Sequence, residues 1–312
     1  MTDTLEIDDV VVDYLKHDRT TVRALDGATL RVRAGETVGI VGESGSGKST
    51  LGSLVGRLLP GNAVYTRGSV RVEGKDVLAL GKDEMRALRR ERLGFIPQDP
   101  ISALDPTMRI GRQLSLALRD TVPTADADLI TLLESVRMRD PERVLRLFPH
   151  EVSGGMAQRI VIAMTMARKP GILVADEPTA ALDSNVRSEV TRLLFELAAD
   201  AGSTVLWLSH DLRSVGRWCE RVAVMYAGRV VEDGTAQQVL EHPTHPYTVA
   251  LAAADPARAL PGDRIETSAI DYATVIEEIE DQTGYALEPL DEPNPVAPVP
   301  GATATDLRAG MR

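Results

Sequence analysis

The chain has 312 residues and a mass of 33.7 kDa, which is enough to bury a substantial core in one or two domains. Its formal net charge of -11 leaves no basic footprint for broad nucleic-acid binding, so no nucleic-acid partner is expected. The single cysteine, Cys219, excludes an intramolecular disulfide framework and any metal site made of several cysteines.

The sequence predicts neither a secretory signal nor a membrane span. Its opening stretch lacks a basic region followed by an apolar run. The best apolar run, IVIAMTMA, is much shorter than the roughly 20 residues that a transmembrane helix needs. We therefore expect a cytoplasmic protein.

The chain divides into a folded domain and an acidic tail. From Asp255 onward, twelve acidic and four basic residues give a net charge of -8, so residues 1–254 carry only -3. Five prolines lie between Pro289 and Pro300. We predict a folded domain over 1–254 and an acidic, proline-rich extension over 255–312 that is disordered or loosely docked.

Two kinds of strand pattern follow one another along the domain. LEIDDVVVDY, ATLRVRAG and GSVRVEG alternate apolar and polar residues, which is typical of an antiparallel sheet with one exposed face. TVGIVG, GFIPQ, GILVAD and STVLWLS are continuous apolar runs, each of which predicts a buried strand. Helical patterns such as SNVRSEVTRLLFELAADAG separate these runs, as in a mainly parallel sheet with helices on both faces.

A helical segment interrupts this order. The 54 residues between Gln98 and Ser153 have helical character and include DLITLLESVRM. We predict a helical subdomain over about 99–165, inserted between two halves of the core. The expected fold class is α/β, with a mainly parallel sheet, an antiparallel β subdomain and this inserted α-helical subdomain.

The strongest chemical motif is GESGSGKST, which lies between a predicted strand and a predicted helix. It matches G-x-x-x-x-G-K-[ST], a phosphate loop in which glycines let backbone N–H groups turn towards phosphates. A glycine turn without a ligand is the plain alternative, but the full match in this context argues against it. The predicted nucleotide-binding residues are Gly42, Glu43, Ser44, Gly45, Ser46, Gly47, Lys48, Ser49 and Thr50.

Two carboxylates follow the apolar run ILVA. In phosphate-loop NTPases an acid at such a strand end holds Mg²⁺, and Asp176 fits this role beside the Ser49 hydroxyl. Glu177 comes next and can serve as the general base towards the attacking water. Such a pair alone more often marks only a loop, but here the chain already contains Lys48, which can bridge the β- and γ-phosphates.

A further motif, VSGGMAQR, lies at the apparent start of a helix. It resembles the signature of the ATPase subunits of ATP-binding-cassette (ABC) transporters. Gln98 in FIPQDP, ILVADEP, AALD, and His210 in LWLSHDL stand around it in that family's order. The resemblance covers about residues 5–254 and implies a phosphate-loop NTPase core that hydrolyses ATP with Mg²⁺.

The resemblance also implies two ATPase subunits packed head to tail, with each signature covering the ATP of its partner. A serine helix cap followed by glycine is the plain alternative, but it does not explain why the stretch lies just before the magnesium strand. The residues assigned to the partner's nucleotide are Ser153, Gly154, Gly155 and Met156, and Asp183 is assigned to the interface.

Three further roles follow from the resemblance. His210 would contact the γ-phosphate and orient the water. Gln98 would contact Mg²⁺ or the water and link the site to the helical insertion. Tyr14 would stack on adenine, although Tyr65 also precedes a strand and stays open as the alternative.

GESGSGKST, FPHEVSGGMAQRIVIAM and EHPTHPYTVALAAA resemble the ATPases of oligopeptide, dipeptide and nickel importers. That branch implies two transmembrane permease subunits, an extracytoplasmic solute-binding protein and a place on the cytoplasmic face of the membrane. A sibling ATPase subunit is favoured over an identical copy as the partner. Many members have an iron–sulfur cysteine cluster after HPYT, but no cysteine follows Cys219, so no cluster is expected.

The branch leaves the cargo open among peptides, metal chelates and oligosaccharides, because the ATPase subunit does not touch it. It does imply a permease contact over QDPISALDPTMRIGRQL (98–114), through exposed apolar residues such as Ile101, Leu104 and Met108. The alternative is that these side chains pack inside the insertion.

Two other functions are open. A cassette ATPase acting on DNA or the ribosome usually has two cassettes, zinc-binding cysteines or long coiled-coil insertions, and the sequence has none of these. A regulatory subunit that binds ATP without cleaving it is disfavoured because Glu177 and His210 are both present.

Overall fold

The computed structural model describes residues 3–17, 19–118 and 125–253. The acidic extension predicted over 255–312 lies outside the described residues. Within them, the strands are β1 (Asp3–Leu15), β2 (Thr21–Arg33), β3 (Thr37–Val41), β4 (Ala63–Val72), β5 (Lys75–Asp76), β6 (Leu93–Ile96), β7 (Ile172–Asp176), β8 (Thr204–Ser209), β9 (Arg221–Tyr226) and β10 (Arg229–Thr235). The α-helices are α1 (Lys48–Val55), α2 (Lys82–Glu91), α3 (Ile110–Leu118), α4 (Asp126–Ser135), α5 (Pro141–Val144), α6 (Gly154–Met166), α7 (Ser184–Ala201), α8 (Leu212–Trp218), α9 (Ala236–Glu241) and α10 (Pro246–Ala253).

Six strands form a mainly parallel sheet in the order β10-β9-β3-β8-β7-β6. β3 pairs in parallel with β8 and β9, β7 pairs in parallel with β8 and β6, and only β10 runs antiparallel to its neighbour. Every residue of β7 and β8 is buried, as expected for strands that are covered on both faces. The mainly parallel sheet predicted from the sequence is confirmed.

A second sheet of four strands, in the order β2-β1-β4-β5, is antiparallel throughout. Its inner face packs with α1 and α2 on the other sheet, and this core includes the fully buried Leu5, Ile7 and Leu51. The two sheets are joined near the turn between β9 and β10. There the Asp26 N–H donates to the carbonyl of Gly228 (3.0 Å), and the Asp26 carboxylate pairs with Arg229.

The helical insertion comprises α3, α4, α5, a short 3₁₀ turn and α6, which lie in the chain between β6 and β7. Its core contains the fully buried Ile110, Leu114, Leu133 and Ile160. The insertion is confirmed as helical, while its boundaries at 99 and 165 stay predictions. Across the described residues, no helix is both long and apolar enough to span a bilayer.

One expectation for the insertion is wrong. Leu104 is only 4% exposed, whereas Ile101 is 39% exposed. The residues after Leu104 are bonded to Gln113, whose side-chain amide donates to the carbonyls of Asp105 (2.9 Å) and Met108 (2.8 Å) and accepts from the Asp105 N–H (2.8 Å). Leu104 itself packs in the core of the insertion.

Candidate functional site

A cavity of about 740 Å³ lies where the phosphate loop meets the carboxyl ends of the parallel strands. Gln98, Glu177 and His210 follow β6, β7 and β8, so the sheet brings residues far apart in sequence to one edge. The described residues that line the cavity are Tyr14, Ala24, Gly42, Glu43, Ser44, Gly45, Gly47, Lys48, Ser49, Thr50, Gln98, Glu177, His210 and Leu251.

The loop between β3 and α1 depends on glycine at two positions. Gly42 has φ 155°, and a Cβ added to it would lie 2.2 Å from the carbonyl oxygen of Met225. Gly47 has φ 102°, and a Cβ there would lie 2.5 Å from the carbonyl oxygen of Ala24. Gly47 caps α1 without a side chain, so no side-chain oxygen competes for the N–H groups of the first turn. This helix start can therefore accept an anion.

Lys48 is folded back onto the loop that it follows. Its ammonium donates to the carbonyls of Gly42 and Glu43, both at 2.7 Å, and to the Ser46 hydroxyl at 3.4 Å. Burial lowers the pKa of Lys48, and nearby carboxylates, of which Glu177 has the largest effect, oppose that shift. The ammonium is thus held against the backbone of the loop.

Ser49 lines the cavity and contacts Asp176, the last residue of β7, which does not line it. The Ser49 hydroxyl donates to a carboxylate oxygen of Asp176 at 3.1 Å. Burial raises the pKa of Asp176, and the Ser49 hydrogen bond opposes this rise. A hydroxyl and a carboxylate oxygen side by side are hard donors of the kind that Mg²⁺ prefers.

Glu177 is held between two other residues at the mouth of the cavity. Its Oε1 lies 2.9 Å from Nδ1 of His210, and its Oε2 accepts from Nε2 of Gln98 at 3.3 Å. Its backbone has φ 42°, a conformation that residues with a side chain seldom adopt, and its N–H donates to the Leu208 carbonyl at 2.9 Å. This backbone directs the carboxylate into the cavity, where a base could act on water.

Of the two tyrosines left open by the sequence, only Tyr14 borders the cavity. Its hydroxyl lies 3.2 Å from that of Thr50, in the first turn of α1. The Tyr65 hydroxyl instead bonds to the carbonyl of Gly68 within the antiparallel sheet.

The chain is similar to proteins of a known family. The family model described as ABC transporter matches residues 25–180. The chain belongs to the ABC transporter family. It is 43% identical over 245 residues to the probable D,D-dipeptide transport ATP-binding protein DdpD of Escherichia coli K12, covering 77% of this chain and 75% of that protein. It is 39% identical over 268 residues to the oligopeptide transport ATP-binding protein OppD of Bacillus subtilis, covering 84% and 75%.

Solved structures of ABC cassettes share the fold. A dimeric structure of the ATP-binding cassette MJ0796, in a post-hydrolysis state bound to ADP and Pi, superposes with a TM-score of 0.65. The two sequences are 28% identical, and the superposition covers 74% of this chain and 98% of that cassette. The chain is an ABC ATPase, and the resemblance drawn from its motifs is confirmed.

The stretch VSGGMAQR, predicted to be the signature, does not border the cavity beside the phosphate loop. Among the described residues, neither the signature nor Asp183 lines that cavity. Ser153 caps α6, with its hydroxyl accepting from the Met156 N–H at 3.3 Å, and Asp183 caps α7 by accepting from the Val186 N–H at 3.0 Å. Ser153 and Asp183 are exposed.

Two residues on the wall of the cavity were not predicted from the sequence. Ala24 contributes from β2, and no sequence signal points to it. Leu251 contributes from α10 and follows Tyr247 by four residues, so the two share a helix face. The motif HPYT (245–248) is typical of the branch, and Leu251 lies three residues after it on the same helix.

Proposed function

We propose that this chain is the ATP-hydrolysing subunit that powers a peptide importer. Two observations support it: the cavity brings Lys48 of the phosphate loop together with Gln98, Glu177 and His210, and the similar DdpD and OppD are named as dipeptide and oligopeptide transport ATP-binding proteins. The observation that carries the proposal is that Gln98 and His210 each contact a different carboxylate oxygen of Glu177.

In this proposal the phosphate loop binds the triphosphate. The N–H groups at the start of α1 and the ammonium of Lys48 take the β- and γ-phosphates, and Tyr14 stacks on adenine. Glu177 accepts a proton from the water that attacks the γ-phosphorus, and His210 fixes the orientation of the water. The products are ADP and phosphate.

Mg²⁺ fits the oxygens present. Ser49 and Asp176 would hold it with the nucleotide phosphates, and Gln98 would contact it or the water. No group of three or more His, Cys, Asp or Glu side chains suited to a metal occurs in the described part of the chain, which suits an ion that takes most of its ligands from ATP and water. When bound, Mg²⁺ neutralises charge on the phosphates.

The proposed assembly contains a second cassette, as identical copy or sibling, whose nucleotide meets Ser153, Gly154, Gly155 and Met156, with Asp183 at the interface. Two transmembrane permeases and an extracytoplasmic solute-binding protein complete it, at the cytoplasmic face of the membrane. Residues 1–254 form the ATPase domain of this assembly.

The test is peptide-stimulated ATP hydrolysis by the chain assembled with its permeases in vesicles. Phosphate release and uptake of labelled di- to hexapeptides should rise together, and Lys48→Ala should abolish both. Hydrolysis without peptide uptake would show that peptides are not the cargo. A complex that releases no phosphate would show that the chain is not the hydrolysing subunit.

A further inference from the structure

Helix α10 reaches back to the phosphate loop. Tyr247 on this helix is fully buried, and its hydroxyl accepts a hydrogen bond from the Glu43 N–H at 2.9 Å. Glu43 is the second residue of the loop, so this N–H is committed to Tyr247 instead of pointing at a phosphate. The contact joins residues 204 positions apart in the sequence.

The ring of Tyr247 is itself held against the element that lies under the loop. Its centroid is 4.5 Å from that of Tyr226, the last residue of β9. The turn after β9 also contacts the loop, because the Gly228 N–H donates to the Ser46 carbonyl at 3.0 Å. Tyr247 and this turn therefore support the loop together.

The segment before Tyr247 is fixed by one carboxylate. Glu232 on β10 accepts from the N–H of Thr244 (2.8 Å), the Thr244 hydroxyl (2.9 Å) and the N–H of His245 (3.1 Å). Nδ1 of His245 then accepts from the N–H of Tyr247 at 3.1 Å. Burial tends to raise the pKa of Glu232, but its hydrogen bonds outweigh that effect and the pKa is lowered. These hydrogen bonds hold the start of α10 against β10.

One turn after Tyr247, the same helix supplies Leu251 to the wall of the nucleotide cavity. A single helix therefore contacts the loop and borders the space beside it.

We propose that Tyr247 is a positioning residue for the phosphate loop. Helix α10 thereby contributes to the nucleotide site, through the contact of Tyr247 with the loop and of Leu251 with the cavity. The inference rests on the proposed function, in which ATP occupies this cavity. Without the Tyr247 hydroxyl, the Glu43 N–H loses its hydrogen-bond partner and the start of the loop is less well ordered. Binding of Mg-ATP must then order the loop, so the affinity for Mg-ATP falls.

The test is Tyr247→Phe in the full chain, since this change removes only the hydroxyl and keeps the ring on Tyr226. Losing one hydrogen bond that orders the loop should weaken Mg-ATP binding roughly fivefold. In the assembled complex KM should rise by a similar factor while kcat stays nearly constant. Tyr65→Phe is the matched control, because it removes a hydroxyl bonded to a backbone carbonyl away from the cavity.

The outcomes distinguish a role in ATP binding from a purely structural role of Tyr247. A Tyr247→Phe chain that binds Mg-ATP as tightly as the parent would overturn the inference, even if it melts at a lower temperature, because that loss would be structural only. Should Tyr247→Phe fold poorly, Glu232→Gln gives the second test, and unchanged affinity in that variant would count against the inference. Failure of the parent chain to bind Mg-ATP at all would overturn the proposed function and this inference with it.

Discussion

Nδ1 of His210 lies 2.9 Å from Oε1 of Glu177. The other carboxylate oxygen is held by Gln98, so both oxygens have partners from neighbouring strand ends. His210 is largely exposed, with 64% of its side chain accessible, while Glu177 is 17% accessible. A partly buried carboxylate oriented by an accessible histidine can take a proton from water once a substrate fills the cavity.

Replacement of Glu177 by Gln should keep ATP binding and remove turnover. The amide has the size of the carboxylate but cannot accept the proton, so hydrolysis by the assembled complex should fall by about 10² to 10⁴. The measurements are phosphate release and the Kd for Mg-ATP. Glu91→Gln, an exposed residue at the end of α2, is the matched control and should leave both unchanged. Near-normal turnover in the Glu177→Gln complex would mean that another group is the base.

The positions of Gln98, Asp176, Glu177 and His210 were predictable because each lies at the end of a parallel strand or just after it. Parallel strands place their carboxyl ends at one edge, so Asp176 and His210 had to lie near the loop after β3. The burial of Leu104 stayed open at the level of sequence, since an apolar residue in this segment suits either a docking surface or the core of the insertion. The contact between Tyr247 and Glu43 was also out of reach, because a single hydrogen bond across the fold leaves no periodic pattern in the sequence.

Substitution of Ser153 by Arg tests the role of the signature. The variant loses a helix cap, worth about 1 kcal/mol, and places a bulky cation where the partner's nucleotide would lie. ATP affinity of the isolated chain should stay within about twofold of the parent, because the described residues lining its own cavity do not include Ser153. Hydrolysis by the complex should fall by about a hundredfold or more.

The control for Ser153→Arg is Ser135→Arg, an exposed serine at the end of α4 in the same insertion. It should leave hydrolysis intact. Loss of ATP affinity in the isolated Ser153→Arg chain would show that the signature serves the chain's own site, and the two-subunit arrangement would then be wrong.

Ile101→Glu tests the permease contact. Ile101 is exposed and lies three residues after Gln98, so a charge there should weaken docking of an apolar partner without changing ATP affinity. Membrane fractionation should find more of the variant released, or peptide uptake lost while hydrolysis continues. Leu104 cannot serve here because it is buried, and a charge there would destabilise the insertion.

Leu58→Glu provides the control for this charge, since Leu58 is 44% exposed and lies after α1, outside the insertion. It should remain membrane-bound and coupled. If Ile101→Glu also stays bound and fully coupled, the docking surface lies elsewhere.

The Cys219 thiol should be unreactive in the folded chain, so its rate of labelling should report how often the fold opens. The thiol is 6% exposed, and burial, aided by the charge of Glu220, raises its pKa to about 12. The thiolate that reacts is therefore scarce at pH 8, and access is blocked as well.

Reaction with a chromogenic disulfide reagent should be at least about a hundredfold slower than in guanidinium, where the thiol regains an ordinary pKa. Because Cys219 is the only cysteine, the signal has one source. Mg-ATP should slow labelling further, since a ligand that binds the native state lowers the population of open states. Rapid labelling of the native chain would contradict the burial of this residue beneath β3 and α8.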